Sequence, residues 1–239
     1  MRVRCCRLVL LVGALTGLVH CGGPPQERIS LSVTILTPDS RGDTIPALPS
    51  DRSARLSRDA SVLEPVIRVL SRVMVAAHRW GYARLTQHWA VAVFEEEGIQ
   101  SVRVQPDGLI AVYSGIFRLA ETEAGLAALV SHELAHLLAH HTADGSQSST
   151  ETGKAELFSR VQEMEADAIG MVVMADAGYD PREMLRIWER MKRWNAPDDE
   201  LLTHVTYDRR LQELRNRLPD AFRRYVRSNR APQRKLPFK

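Results

Sequence analysis

The chain has 239 residues, 44% of them hydrophobic and 26% charged, and a net charge of only +3. That composition fits one globular domain with short ends and excludes wholesale disorder, while so small a charge makes nucleic acid a poor partner. Cys5, Cys6 and Cys21 are its cysteines, and removal of an amino-terminal leader would leave Cys21 without an internal partner.

Arg2, Arg4 and Arg7 precede an apolar run over residues 8–19 that ends at His20-Cys21-Gly22-Gly23. A basic start, a short apolar segment and a possible cleavage point read as an export signal over residues 1–21, too short to span a bilayer comfortably. A lone cysteine at that boundary resembles the attachment site of a bacterial lipoprotein, with Cys21 as the acylated first residue. His20 stands where a small residue is usual, so an ordinary secretory signal with an incidental cysteine remains the other reading. Gly22, rather than an aspartate, points away from inner-membrane retention. The expected location is therefore the periplasmic face of the outer membrane, or the periplasm or exterior if Cys21 carries no lipid.

Residues 22–58 read as a tether containing a short strand, because residues 28–36 alternate and the stretch over residues 37–57 is rich in proline. From Asp59, Val62, Val66, Ile67, Leu70, Val73 and Met74 recur at helical spacing and Gly81 ends the pattern. Three β-prone runs follow at residues 89–94, 101–104 and 109–114, separated by Glu-Glu-Glu-Gly and Pro106-Asp107-Gly108 turns. They are expected to form a small antiparallel sheet. An edge strand of such a sheet could hold an extended peptide by strand addition, or the hairpin could be purely structural; both readings stay open.

The most specific stretch is Ser131-His132-Glu133-Leu134-Ala135-His136. Residues 124–139 are apolar almost all round, the pattern of a buried central helix, where two histidines and a glutamate need a reason. His132 and His136 lie one helical turn apart on one face and can reach one tetrahedral Zn²⁺ at about 2.0–2.1 Å. Glu133 is about 100° round the helix, unsuited to the same corner but placed for a general base acting on water. His140 continues the face, yet eight residues at about 1.5 Å each put it roughly 12 Å along the axis from His132. His140 and His141 therefore read as cations near the helix end.

A polar stretch, residues 142–153, then breaks the helix, and a second helix carries Glu163, Glu165 and Asp167. Glu163 and Asp167 share a face while Glu165 points elsewhere. Glu163 is the expected third ligand, and Asp167 is placed to accept the other ring N–H of a ligand histidine. Ala166, Ala168 and Gly170 are small enough to let this helix approach the first one closely. Helices follow Asp180-Pro181 and begin again near Tyr207. The expected fold class is α+β, mostly helical. Residues 223–239 hold Arg223, Arg224, Arg227, Arg230, Arg234, Lys235 and Lys239 and no acid, a basic tail whose commoner explanation is a solvated, partly disordered end and whose other reading is contact with anionic lipid.

The strand–glycine–helix entry from Ala111 to Phe117, the His132-Glu133-x-x-His136 core, Ser159-Arg160-x-x-Glu163-x-Glu165-Ala166-Asp167-x-x-Gly170 and Ala177-Gly178-Tyr179-Asp180-Pro181 resemble family forty-eight of the metallopeptidases. These gluzincins include HtpX, the CAAX prenyl proteases, mitochondrial Oma-type proteases and periplasmic proteases such as BepA. The resemblance runs from about Trp89 to Leu218 and implies a zinc metallopeptidase domain over residues 59–222, in a periplasmic, lipoprotein-like member. It implies one Zn²⁺ per chain on His132, His136 and Glu163, with Glu133 as base. Periplasmic members also carry a Thr-His-Pro segment followed by an arginine. The counterparts here are Thr203-His204-Val205 and Arg210, which implies His204 as a regulatory fourth ligand or a transition-state contact and His204 or Arg210 as a support for the oxyanion. Val205 replaces the proline, and the segment between His136 and Glu163 is shorter than in many relatives. The implied function is hydrolysis of peptide bonds in unfolded or misassembled envelope proteins. The alternative is a lipid-anchored, chaperone-like assembly or binding factor with little or gated proteolysis.

Overall fold

The computed structural model describes residues 8–10, 16–20, 30–36, 55–79, 88–141, 152–194 and 200–237, with side-chain surroundings for residues 33–36, 55–79, 89–141, 160–194 and 207–237. The chain divides into two compact units, residues 1–116 and residues 117–238. The metallopeptidase region expected over residues 59–222 contributes to both.

The first unit holds strands β1 (Leu8–Leu10), β2 (Thr16–His20) and β3 (Ser30–Ile35), helix α1 (Ala60–Arg79), and strands β4 (His88–Phe94), β5 (Val102–Val104) and β6 (Leu109–Tyr113). The strands form one sheet in the order β1-β2-β3-β4-β6-β5. The mostly helical α+β class stands, but the sheet expected to be antiparallel is mixed: β4 pairs parallel with both β3 and β6, while β5 and β6 pair antiparallel. The reason lies in the strands themselves. All five residues of β6, Leu-Ile-Ala-Val-Tyr, are buried, whereas β5 runs buried, exposed, half-buried. A continuously apolar strand belongs inside a sheet and an alternating one at its edge, so β5 folds onto the outside of β6 and leaves β6 beside β4. The expected turn is there, with the Gly108 N–H donating to the Gln105 carbonyl at 3.0 Å. Leu36, Ala92, Phe94, Leu109, Ala111 and Tyr113 form a core on one side of the sheet. β1 and β2 fall within the stretch read as an export signal, and cleavage before Cys21 would take them away and leave β3 at the edge.

The second unit is helical: α2 (Ile116–Ala120), α3 (Glu123–Leu138), α4 (Thr152–Asp176), α5 (Arg182–Trp194) and α6 (Glu200–Arg227). α3 starts where Thr122 Oγ1 accepts the Gly125 N–H at 3.0 Å, an N-cap that satisfies one of the helix's free donors. Its residues are buried on nearly every side, as the all-round apolar sequence requires. α4 ends at Gly178, whose φ of 88° suits glycine and lets the Tyr179 N–H return to the Met174 carbonyl at 2.9 Å.

Two expectations change in this unit. α6 begins at Glu200, before the expected start near Tyr207, so the backbone of residues 203–205 is helical. Valine at 205 keeps the N–H that a proline lacks, and the helix runs on. The basic tail is not a loose end, because α6 extends to Arg227 and the segment after it packs as a strap. Ala231 and Leu236 are buried, the Ala231 N–H donates to the Gly178 carbonyl at 2.7 Å, and the Leu236 N–H donates to the Glu121 carbonyl at 2.9 Å. The Arg234 carbonyl accepts the Glu123 N–H at 3.0 Å, a second cap on α3.

Candidate metal centre

α3 presents His132 and His136 one turn apart, and their Nε2 atoms lie 3.1 Å from each other. α4 brings the Glu163 carboxylate between them, with Oε2 3.4 Å from His132 Nε2 and Oε1 3.2 Å from His136 Nε2. Three corners of a tetrahedron with metal–ligand bonds of about 2.0–2.1 Å stand about 3.3 Å apart. The donor set therefore fits a zinc-sized ion in both spacing and chemistry. Glu133 follows His132 on α3 and is half-buried. Gly170 makes the approach of the helices possible, since a Cβ there would lie 2.9 Å from His132 N and 3.0 Å from its Cα.

Behind His132 stands Asp167, with Oδ1 3.0 Å from His132 Nδ1. Asp167 also accepts the Trp188 indole N–H at 3.0 Å and two guanidinium N–H groups of Arg210 at 2.7 and 2.9 Å. Arg210 reaches Glu163 Oε2 as well, at 3.1 Å, and lies over the Trp188 ring at 4.4 Å from its centroid. The Arg210 guanidinium, expected at the oxyanion, is buried and directed onto two carboxylates, those of Glu163 and Asp167.

The charges are strongly coupled. Burial alone would depress the His132 imidazole, but Asp167 and Glu163 outweigh it and lift the group to about 9, with Arg210 opposing. Burial would raise Glu163, yet His132, His136 and Arg210 hold its carboxyl far below the usual range. Asp167 is likewise held low against burial by Arg210 and His132. Asp167 and Glu163 thus favour positive charge at His132, and a divalent cation bound there would compete with its proton.

The profile of peptidase family M48 matches residues 65–150 and 145–218. The chain belongs to peptidase family M48. It is similar to the mitochondrial metalloendopeptidase OMA1 of Saccharomyces cerevisiae, at 29% identity over 53% of this chain and 46% of that protein. It is also similar to OMA1 of Schizosaccharomyces pombe, at 29% identity over 65% of this chain and 53% of that protein. A bacterial relative is the beta-barrel assembly-enhancing protease of Escherichia coli, at 27% identity over 46% of this chain and 30% of that protein. The chain spans about half the length of the fungal relatives and less of the bacterial one.

Among the described residues of this M48 chain, the cluster that could hold a metal ion gathers His132, His136 and Glu163 and leaves out His140. His140 is exposed at φ 56°, just past the end of α3. The His204 side chain and Cys21 lie outside the described residues. Sequence reasoning missed Trp188, whose spacing from the motif carries no signal, and the contacts of His141. Read from the sequence as a cation near the helix end, His141 has partners there: its Nδ1 is 3.0 Å from His136 Nδ1 and its Nε2 3.2 Å from Glu165 Oε2.

Proposed function

We propose that this M48 member is a zinc endopeptidase of a bacterial envelope, with His132, His136 and Glu163 as ligands of one Zn²⁺ and Glu133 as general base. The observation that supports it most is the convergence of two Nε2 atoms and one carboxylate at 3.1, 3.2 and 3.4 Å. When bound, zinc supplies a Lewis acid for the peptide carbonyl and brings the pKa of a water near 7. Glu133 takes a proton from the attacking water and returns it to the departing amide nitrogen. Asp167 fixes the ring of His132, and Arg210 steadies both Asp167 and Glu163. His204, seven residues before Leu211 on α6, serves as a regulatory ligand or a transition-state contact, and the oxyanion role falls to it rather than to Arg210.

The substrate class is unfolded or misassembled envelope protein. The similarity to a beta-barrel assembly-enhancing protease supports this, as does the signal-like start of the sequence with its candidate lipid site at Cys21. No helix among the described residues is long and apolar enough to cross a membrane; the proposed attachment is an acyl group at Cys21, at the end of the signal-like segment. The test is digestion of unfolded casein by the purified protein, before and after chelation and after zinc is restored. Cleavage that follows the zinc supports the peptidase; no cleavage with one zinc bound per chain would favour the chaperone-like binding factor.

A further inference from the structure

We propose that His141 and Glu165 form a second positioning relay, which orients His136 as Asp167 orients His132. The inference rests on the zinc reading above and adds two residues to it. His136 turns Nε2 toward His132 and Glu163, so its Nδ1 is on the other edge of the ring, 3.0 Å from His141 Nδ1. Two ring nitrogens at that distance can bond only if one donates and the other accepts. A His136 that gives the Nε2 lone pair to a metal carries its proton on Nδ1 and must donate. His141 must then accept at Nδ1, which places its own proton on Nε2, 3.2 Å from Glu165 Oε2. A carboxylate at the end of the row can only accept, so each hydrogen bond has one allowed direction and His136 is held in the tautomer that leaves Nε2 free.

The local backbone delivers His141 to this position. α3 stops at Leu138, and His140 takes a left-handed φ of 56°. The His141 N–H then returns to the His136 carbonyl at 2.9 Å. The turn folds His141 back over the last helical turn, leaving its side chain 8% exposed. On α4 the three acidic residues divide the work. Glu163 supplies a corner of the site, Asp167 backs His132, and Glu165, which points away from the ligand face, backs His136 through His141. Glu165 is 54% exposed, so its contribution is the smaller of the two.

The experiment measures zinc affinity of the full chain by competition with a chelating indicator, beside the melting temperature of the metal-free protein. The proteins are wild type, His141→Ala, His141→Gln and Glu165→Ala. Loss of an outer partner of a metal-bound histidine costs about 10- to 100-fold in affinity. His141→Ala is expected to lose that much, Glu165→Ala about 3- to 10-fold, and His141→Gln, which keeps an acceptor, to recover most of the loss. Metal-free melting should stay within about 2 °C of wild type for a residue that acts on the ligand rather than the fold. Wild-type affinity in both His141→Ala and Glu165→Ala would overturn the relay while leaving the zinc site standing. A glutamine variant as weak as the alanine one would also overturn it. A wild-type protein that binds no zinc would instead sink the functional reading on which the relay rests.

Discussion

Asp167→Ala should cost the protein stability even without metal, because Asp167 is the shared acceptor of a buried cluster. The carboxylate is 2% exposed and takes N–H groups from Arg210 at 2.7 and 2.9 Å and from Trp188 at 3.0 Å. Its loss leaves the Arg210 cation buried with Glu163 as its remaining acid, at 3.1 Å. Stranding one member of a buried pair costs about 3–5 kcal/mol, and the surviving Glu163 contact places the effect near the lower end. The lost indole hydrogen bond adds about 1 kcal/mol. A total of about 4 kcal/mol corresponds to a melting temperature lower by about 10–15 °C. Thermal unfolding of the metal-free protein, followed by circular dichroism, reads this directly. Adding Arg210→Met removes the stranded cation and should recover at least half of the loss. An Asp167→Ala protein melting within about 2 °C of wild type, or a double variant whose losses simply add, would refute the reasoning.

The raised His132 group makes two pH predictions. Its contribution to metal-free stability is full below 6.5 and lost as pH rises through about 9, so the metal-free melting temperature should fall over that window. Zinc must displace the same proton, so affinity should climb about tenfold per pH unit up to that point, with about one proton released in calorimetry at pH 7.5; a flat or falling affinity would contradict it. Gly170→Ala should destabilise by about 1–2 kcal/mol despite alanine's helix preference of about 1 kcal/mol, because its Cβ meets backbone of α3. A rise in melting temperature would remove the close-approach argument. Ending the chain after Ser228 should cost about 3 kcal/mol in urea unfolding, through the lost burial of Ala231 and Leu236 and the lost cap on Glu123; unchanged stability would mean the strap does not hold α3.

The convergence of His132, His136 and Glu163 was legible because it is local: a four-residue spacing on one helix and a carboxylate pair on another specify faces without knowledge of the fold. The close packing of these helices was legible too, since Gly170 lies among small residues on α4. Sheet direction was misread as wholly antiparallel, although the unbroken apolar run of β6 marked it as an interior strand. The tail misled because seven cations and no acid dominate its composition, while its order depends on Ala231, Leu236 and backbone bonds to distant residues. The contacts of His141 and Arg210 were not legible for a related reason. Their roles depend on a left-handed turn at His140 and on α6 returning to α4, and neither leaves a periodic trace in the sequence.

The central claim is that the cluster on α3 and α4 is a hydrolytic centre with Glu133 as its base, and one comparison tests it most directly. Wild type and Glu133→Gln are loaded with zinc, their metal content is measured, and casein cleavage is followed. The account predicts equal zinc in both proteins and cleavage reduced by at least about a hundredfold in Glu133→Gln, the scale of a lost general base. A zinc-loaded Glu133→Gln protein that cleaves casein at the wild-type rate would contradict it.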